Sequence, residues 1–396
     1  MSSKIIFEIN ASFLNFIRYI ILQCYSNFVP LIPQFRMNNY LDSSKKLPIY
    51  DMIVFCHLRW DFVYQRPQHL ITRLSSQYKI LVVEEPIGRS DKKSEIIEIS
   101  PSLHVLKPHI DHLEELGSYL KSILKDSKYL VGWFYSAAFV SVLNTFDFET
   151  VVYDCMDELT LFKGASPELL AQENSLLSAA DIVFTGGKSL YESKREKHHN
   201  VFCFPSSVDV SHFSNEEKEH IEKPGDLKNV KSPIIGYYGV IDERIDLDLL
   251  QETALQSTGA SFVMIGPICK IEEHDLPRAE NIHYLGMKSY DELPQYLHFF
   301  DIAMMPFALN DSTKFISPTK TLEYMAAMKP IISTKIKDVV REYSSSVSLI
   351  DNTNDFKKVI KQPMTDFQSQ YEEILENTSW DRTAEKMSTI INKVLA

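Results

Sequence analysis

Short apolar runs alternate with amphipathic stretches along most of the chain. The runs predict buried strands, because they are short, apolar and mostly β-branched or aromatic. In the first half they are Met52–Cys56, Ile80–Val83, Leu130–Phe134, Val151–Tyr153, Ile182–Phe184 and Val201–Phe204. In the second half they are Ile234–Tyr238, Phe262–Ile265, Ile302–Met305 and Ile331–Ser333. Strands that alternate with helices predict an α/β protein whose parallel sheets are covered on both faces.

Two polar stretches divide this pattern. Met37–Pro48 is typical of a linker, and Asn215–Pro233 is charged and has no sustained apolar period. We therefore predict two doubly wound, Rossmann-like domains over residues 49–220 and 221–375, facing a central cleft. A helix over residues 376–396 is expected to return to the first domain. Because such sheets bind ligands beyond the carboxyl ends of their strands, the cleft is the expected site.

Residues 1–48 are predicted to be an apolar helical extension followed by the linker. The stretch Ile5–Ile32 is rich in large apolar residues, but Glu8 and Arg18 interrupt it. No span reaches the roughly 20 apolar residues of a crossing helix, and the features of a signal peptide are missing. The extension is expected to pack on the domain, to lie on a membrane surface or partner, or to form a tail.

Composition narrows the function. The chain has 396 residues, which suits two domains, and a formal net charge of −12. This charge argues against nucleic-acid binding, which depends on clustered Lys and Arg. Five cysteines without paired spacing predict neither disulfides nor a zinc site and fit a reducing cytoplasm. Peripheral contact with the inner face of the membrane stays open.

The segment Ser317–Lys329 carries the candidate donor site. Ser317 is a plausible N-cap of a helix whose first residue is Pro318, and the free N–H groups of a helix start bind phosphate. Lys320 in the first turn opposes the helix dipole, a conflict that a bound anion would remove. Glu323 is placed to accept hydrogen bonds from both hydroxyls of a ribose. The alternative is that Lys320 and Glu323 are merely solvated.

Glycines and one arginine add to the donor side. Gly239 follows a predicted strand and permits close approach of the backbone to a phosphate. Gly266 closes another strand and either joins the donor site or forms only a turn. The fork of Arg244 suits a diphosphate. Its alternative is an ion pair with Asp242 or Glu243.

The candidate acceptor site follows the first strand directly, in the segment HLRWDFVYQRPQHL. Aromatic faces stack on sugars, and charged groups bond to their hydroxyls. The side chains of this segment expected to contact an acceptor are Arg59, Trp60, Asp61, Tyr64 and Arg66. Asp157, in the segment YDCMDE at another strand end, is expected either to hold acceptor hydroxyls or to cap the backbone that follows it. The alternative for the loop is structural, with Arg59 paired to Asp61.

Several segments in order resemble the GT-B glycosyltransferases of the large retaining group, often called family four. They are GYYGVIDER, FVMIGP, NIHYLGMKSYDELPQYLHFFDIAMMPF and SPTKTLEYMAAMKPIIST. In the first half, HLRWDFVYQRPQHL, EEP and YDCMDE look like a subgroup associated with cell-surface polysaccharide and teichuronic-acid-type synthesis. The resemblance starts near Asp51. It implies a nucleoside-diphosphate-sugar donor, a saccharide or lipid-linked acceptor and retention.

Two catalytic schemes stay open for such a transfer. His57 or Asp61 would act as general base if the reaction inverts the anomeric centre. If it retains, no protein base is needed, and Arg244 and Lys320 stabilise the departing diphosphate.

The resemblance also assigns residues. Glu323 matches the ribose-binding glutamate of the family, and Gly239 matches its phosphate-loop glycine. Pro318, Thr319 and Lys320 fall where the helix start meets the diphosphate. Two departures leave the donor sugar open: Phe315 stands where the family often has a second glutamate, and Val240 where it often has arginine. Arg244 or Lys314 are candidate substitutes.

No cofactor and no metal are predicted. The other common sugar-transferase fold would place Asp-x-Asp after a strand, whereas Asp246-Leu-Asp248 opens an apolar helical pattern. The competing functions are a nucleotide-sugar epimerase or a phosphorylase on the same fold and a non-catalytic partner subunit.

Overall fold

The computed structural model describes residues 38–40, 47–88, 93–125, 128–214 and 221–396. They form two compact units. The N-terminal unit comprises the described residues up to Pro205 together with Asp381–Ala396, and the C-terminal unit is Ser206–Trp380. Most of the predicted extension over residues 1–48 lies outside the described residues. No helix in the described ranges is long and apolar enough to cross a membrane.

The described part of the N-terminal unit contains a sheet of nine strands: β1 (Asn38–Tyr40), β2 (Met52–Cys56), β3 (Ile80–Glu84), β4 (Glu95–Ser100), β5 (Leu103–Lys107), β6 (Lys128–Phe134), β7 (Asp147–Cys155), β8 (Ile182–Thr185) and β9 (Val201–Cys203). Their order is β1-β4-β5-β3-β2-β6-β7-β8-β9. Strand β4 pairs antiparallel with both β1 and β5, and the other pairs are parallel. The parallel strand order reverses beside β2, so the loops after β2 and β6 leave the sheet at a switch point.

Helices cover the faces of this sheet. They are α1 (Arg66–Leu74), α2 (Leu116–Ile123), α3 (Glu168–Ala179) and α4 (Lys188–Lys194). The core strands are apolar on both faces, as β2 and β3 show by being buried at every position. The predicted α/β class and all six predicted strands of this half are confirmed.

The linker prediction for Met37–Pro48 is wrong at β1. Its three residues pair with β4, with Asn38 opposite Ile97 and Tyr40 opposite Glu95. Polar residues can add a strand at a sheet edge, because the pairing uses main-chain groups.

The described part of the C-terminal unit contains α5 (Val210–Phe213), β10 (Ile234–Tyr238), α6 (Leu247–Gln256), β11 (Ser261–Ile265), β12 (Ile282–Tyr284), α7 (Leu293–His298), β13 (Ile302–Met305), α8 (Lys320–Ala326), β14 (Ile331–Thr334), α9 (Lys337–Tyr343), β15 (Ser348–Ile350), α10 (Thr353–Lys361) and α11 (Gln368–Glu376). All strand pairs are parallel, in the order β12-β11-β10-β13-β14-β15. This is the doubly wound order with its switch point between β10 and β13.

The core of the C-terminal unit extends back before its first strand. Val208 and Phe213 are fully buried in the same hydrophobic cluster as β10 and β11. The segment that starts at Ser206 is therefore part of this unit's packing.

The last helix, α12 (Trp380–Leu395), belongs to the N-terminal unit from Asp381 onward. The Tyr78 hydroxyl donates to Asn392 at 2.8 Å, and Arg73 pairs with Asp381 at 2.8 Å. The last helix is thereby attached to the end of α1 and the turn that follows it.

Packing around Gly236 in β10 gives a stability prediction. A β-carbon at this position would lie 2.1 Å from the nearest atom of the Phe300 ring. Gly236→Ala should therefore destabilise the protein by about 1–3 kcal/mol through overpacking, as measured by urea unfolding. Adding Phe300→Leu should recover part of the loss, because the two sites share one space. Gly259→Ala, which meets no atom within 4 Å, is the control; equal stabilities of the two alanine variants would contradict the prediction.

Candidate active site

The loops after β10 and β11 touch in the C-terminal unit. Tyr238 and Ile265 are paired at the ends of their strands, so Gly239 and Gly266 leave the sheet side by side. Both have positive φ, 138° and 144°. A β-carbon on Gly266 would lie 1.9 Å from the carbonyl oxygen of Gly239. Both positions therefore require glycine, and the two predicted donor glycines are brought together.

Lys320 lies against the same loop. A β-carbon on Gly239 would lie 2.3 Å from Cε and 2.7 Å from Nζ of Lys320. The amine is also 5.5 Å from the centre of the Tyr237 ring, a cation–π distance. The Tyr237 hydroxyl donates to the carbonyl oxygen of Val240 at 2.9 Å and so fixes the loop. The structure thus places a cation on a tight glycine loop.

Glu323 lies one turn further along α8. It is 7% exposed, and its Oε2 accepts a hydrogen bond from the Tyr238 hydroxyl at 2.8 Å. Burial raises the pKa of the Glu323 carboxyl, while the bond from Tyr238 and the charge of Lys320 oppose that rise. A carboxylate has about four lone-pair sites, so one bond from a phenol leaves capacity for hydroxyl donors.

The predicted start of this helix is wrong by two residues. Helix α8 begins at Lys320, Thr319 precedes it, and Ser317 does not cap it. The carbonyl oxygen of Ser317 instead accepts a bond from the Ser206 hydroxyl at 3.0 Å. The Thr319 hydroxyl donates to the Ser206 oxygen at 2.9 Å. Pro318 begins a single turn that is tighter than an α-helical one, because its carbonyl oxygen accepts a hydrogen bond from the N–H of Thr321, three residues on.

Arg244 forms the ion pair that was its alternative. Its Nη2 lies 2.7 Å and its Nε 2.9 Å from the carboxylate of Asp242. Asp242 is buried and Arg244 is 24% exposed. A phosphate role for Arg244 stays a prediction.

In the N-terminal unit, the loop after β2 is tied to the end of β3. Arg59 is buried and donates to Glu84 at 2.9 Å and to the carbonyl oxygen of Glu85 at 2.6 Å. The N–H of Trp60 donates to the other Glu84 oxygen at 2.8 Å. The alternative prediction, that Arg59 pairs with Asp61, is wrong. His57, directly after β2, and Trp60 are half-buried in this loop.

Asp61 and Tyr64, two other predicted acceptor residues of this loop, make contacts of their own. Asp61 pairs with Lys107, from the end of β5, at 2.7 Å. Tyr64 is 37% exposed, and its ring meets the buried His69 ring edge-on at 4.6 Å. Their acceptor roles stay predictions.

Arg66 occupies a structural position. It is 4% exposed, and its Nε and Nη2 donate to Asp154 at 2.9–3.1 Å. Its Nη1 donates to the carbonyl oxygen of Phe204 at 2.8 Å. These contacts join α1 to the ends of β7 and β9.

The loop that carries Asp157 is anchored by a buried lysine that sequence reasoning missed. Lys194 on α4 lies 2.7 Å from Glu158 and 2.6 Å from Glu173. The Tyr153 hydroxyl also donates to Glu173 at 2.8 Å. Nothing local marks Lys194, because its partners are 36 and 21 residues away. Asp157 itself is half-buried.

Comparisons with known proteins agree with the resemblance. Residues 232–366 match the family model described as "Glycosyl transferases group 1". The chain is 23% identical over 256 residues to a Bacillus subtilis (strain 168) protein with the provisional name teichuronic acid biosynthesis glycosyltransferase TuaH. That match spans 58% of this chain and 63% of the relative, less than two thirds of its length.

Solved structures share the fold. Sucrose-phosphate synthase of Thermosynechococcus elongatus has a TM-score of 0.64 at 13% identity, covering 87% of this chain and 98% of that chain. A trehalose-6-phosphate synthase, studied with bisubstrate glycomimetics for glycosyl transfer with retention, has a TM-score of 0.56 at 9% identity, covering 87% and 99%. The GT-B fold expected from the sequence is confirmed.

Glu85 gives a prediction about pH. Burial raises the pKa of its carboxyl to about 7, and the charge of Arg59 opposes the rise. Between about pH 4.5 and 7, the folded protein keeps a proton that the unfolded chain has released. Stability should therefore fall as pH rises through this window and then level off.

Urea unfolding at pH 5, 6, 7 and 8 tests this. Glu85→Gln stays neutral and should gain roughly 2–3 kcal/mol relative to the unmodified protein between pH 5 and 8. Glu196→Gln, at an exposed position, is the control. The prediction is contradicted if Glu85→Gln keeps the pH dependence of the unmodified protein.

Proposed function

We propose, on the premise that residues 232–366 belong to the group 1 glycosyltransferases, that this chain transfers a sugar from a nucleoside diphosphate sugar to an acceptor of cell-surface polysaccharide synthesis. The observation that carries the proposal is the grouping of the Lys320 amine, the Gly239 loop and the buried Glu323 carboxylate in one unit. Lys320 and Glu323 lie one turn apart on α8, and the Gly239 loop lies against Lys320, so a cation, a tight backbone loop and a hydrogen-bond acceptor come together.

The donor fits this grouping by its chemistry. A diphosphate binds a cation, which Lys320 offers, and Gly239 permits close approach of the backbone to a phosphate. A ribose presents two neighbouring hydroxyls, which a carboxylate such as Glu323 can accept together. The diphosphate is proposed to lie at the glycine loop and the ribose at Glu323.

The reaction proposed is retaining transfer. The bond between the anomeric carbon and the diphosphate oxygen breaks, and a bond from that carbon to an acceptor oxygen forms on the same face of the sugar. The acceptor's proton passes to the departing diphosphate, so no protein base is required. Lys320 stabilises the charge that develops on that diphosphate. The family and the trehalose-6-phosphate synthase likeness support retention.

The acceptor is proposed to contact the N-terminal unit. Support comes from the partly exposed Trp60, Asp61, Tyr64 and Asp157 at the ends of β2 and β7. The Bacillus subtilis relative, by its name, acts in teichuronic acid synthesis. A saccharide or lipid-linked saccharide of the cell envelope is the acceptor class we propose.

Neither a metal nor a cofactor is proposed for the transfer. Asp246 of the Asp-x-Asp match caps α6, because its carboxylate accepts the N–H of Leu249 at 2.9 Å. Lys320 offers the charge that a metal would otherwise bring to the diphosphate. The thiols of Cys56 and Cys155 form no disulfide, which supports a reducing cytoplasm as the place of the reaction.

Lys320→Met tests the donor assignment. It keeps an apolar stem on the Tyr237 ring and removes the charge. With the tightest-binding of UDP, GDP, ADP and dTDP in calorimetry, the variant should bind the diphosphate about ten-fold more weakly. The affinity for the matching nucleoside, which carries no phosphate, should change little. Release of diphosphate from the nucleotide sugar, with extracted lipid-linked saccharides as acceptor, should fall about 100-fold or more.

Lys358→Met is the matched control, because Lys358 is exposed on α10 in a surface ion pair with Asp355. It should bind diphosphate like the unmodified protein. If the protein binds none of the four diphosphates, or if Lys320→Met binds them unchanged, the proposed function is refuted.

The stereochemical and metal proposals share one assay. Proton NMR of the product should show the anomeric configuration of the donor sugar. Transfer should stay within two-fold in excess EDTA. An inverted product would refute retention, and activity lost in EDTA and restored by Mg²⁺ or Mn²⁺ would refute metal independence.

A further inference from the structure

Tyr238 makes a contact that the family resemblance did not assign. It is the last residue of β10 and is 3% exposed. Its hydroxyl donates to Glu323 Oε2 at 2.8 Å, across 85 residues of sequence. A buried carboxylate is stabilised in its charged form by a hydrogen bond that it accepts. The phenol is therefore placed to act on the chemistry of Glu323.

The phenol ring has one well-defined position. The Phe213 ring lies parallel to it at 6.4 Å, and the Tyr324 ring meets it edge-on at 5.1 Å. The main-chain N–H of Tyr238 also donates to the Tyr324 hydroxyl at 3.2 Å. Two consecutive residues of α8, Glu323 and Tyr324, are thus bonded to the same residue of β10. The direction of the Glu323 carboxylate is fixed by the strand rather than by the helix alone.

We infer that Tyr238 is a positioning residue that holds and orients the Glu323 carboxylate to accept the ribose hydroxyls of a nucleotide. The inference rests on the proposed function, because it presupposes that Glu323 binds a ribose. With one lone pair of Oε2 used by the phenol, the remaining lone pairs of the carboxylate are directed away from Tyr238. Without the phenol, the carboxylate would be free to turn.

The electrostatics predict how the effect depends on pH. Burial raises the pKa of Glu323, and the two opposing influences are Tyr238 from β10 and Lys320 from α8 itself. The pKa of Tyr238 is itself raised by burial first and then by its neighbours Glu323, Tyr324 and Tyr290. Removing the phenol should raise the pKa of Glu323 further. A protonated carboxyl accepts fewer hydrogen bonds. As the pH is lowered, the variant without the phenol should therefore lose nucleotide affinity at a higher pH than the unmodified protein does.

The other elements packed on α8 add titratable groups that are engaged elsewhere. On α5, His212 stacks on the Tyr290 ring at 4.1 Å. On α11, the Tyr371 hydroxyl donates to the carbonyl oxygen of Lys329 at 3.0 Å. These groups are unchanged by a substitution at Tyr238, so a shift in pH dependence reports on Glu323.

The experiment measures the affinity of Tyr238→Phe for the tightest-binding of UDP, GDP, ADP and dTDP, by calorimetry from pH 5 to 8. The acid midpoint of binding should move up by about one pH unit, and affinity near pH 6 should fall about ten-fold. Tyr371→Phe is the matched control, because it removes a bonded hydroxyl from another buried tyrosine of the same unit. It should behave like the unmodified protein.

A background that lacks the carboxylate gives a second test. In a Glu323→Gln background, Tyr238→Phe should change affinity less than two-fold, because the group that it acts on is gone.

The outcomes separate the two proposals. If the unmodified protein binds a nucleotide but Tyr238→Phe matches Tyr371→Phe in midpoint and affinity, the role of Tyr238 is refuted and the proposed function stands. An equal effect of Tyr238→Phe in the unmodified protein and in the Glu323→Gln background would also refute it. If the unmodified protein binds no nucleotide, both proposals fall.

Discussion

The C-terminal unit depends on the contact between two loops that leave its sheet together. A side chain on Gly266 would strike the carbonyl oxygen of Gly239, and a side chain on Gly239 would strike Lys320. Both glycines have a positive φ, a conformation that residues with a side chain adopt only with strain. This conformation allows the two loops to approach closely. The first residue of α8, Lys320, lies against the Gly239 loop. The lysine and the buried carboxylate of that helix thereby come to the switch point of the sheet.

The N-terminal unit fixes its loops by another means. Buried ion pairs join helices and loops to residues that are far apart in sequence: Arg59 with Glu84, Arg66 with Asp154, and Lys194 with Glu158 and Glu173. Such pairs add little net stability over apolar packing, but losing one partner leaves a buried charge and is costly. They hold the loops after β2 and β7 in place. Neighbouring side chains in those loops, such as Tyr64 and Asp157, stay partly exposed.

Much of the fold followed from the sequence because buried parallel strands are apolar throughout. Every predicted strand lies within or overlaps an observed one, and the donor glycines, Lys320 and Glu323 are grouped as expected. Strands β1, β4, β5, β12 and β15 were not among the predicted strands. Strand β4, for example, is a half-buried antiparallel strand without a continuous apolar run. The start of α8 was misplaced because Ser206, over a hundred residues earlier, engages the groups near Ser317 and Thr319. Long-range pairs such as Tyr238 with Glu323 leave no local signal.

The most direct test of the central claim is a crystal structure of the protein with a bound nucleoside diphosphate. The account predicts the phosphates against the Gly239 loop with the Lys320 amine in contact. It also predicts both ribose hydroxyls on the Glu323 carboxylate, which still accepts the bond from Tyr238. A nucleotide bound elsewhere, or a Glu323 that makes no contact with the ribose, would contradict it.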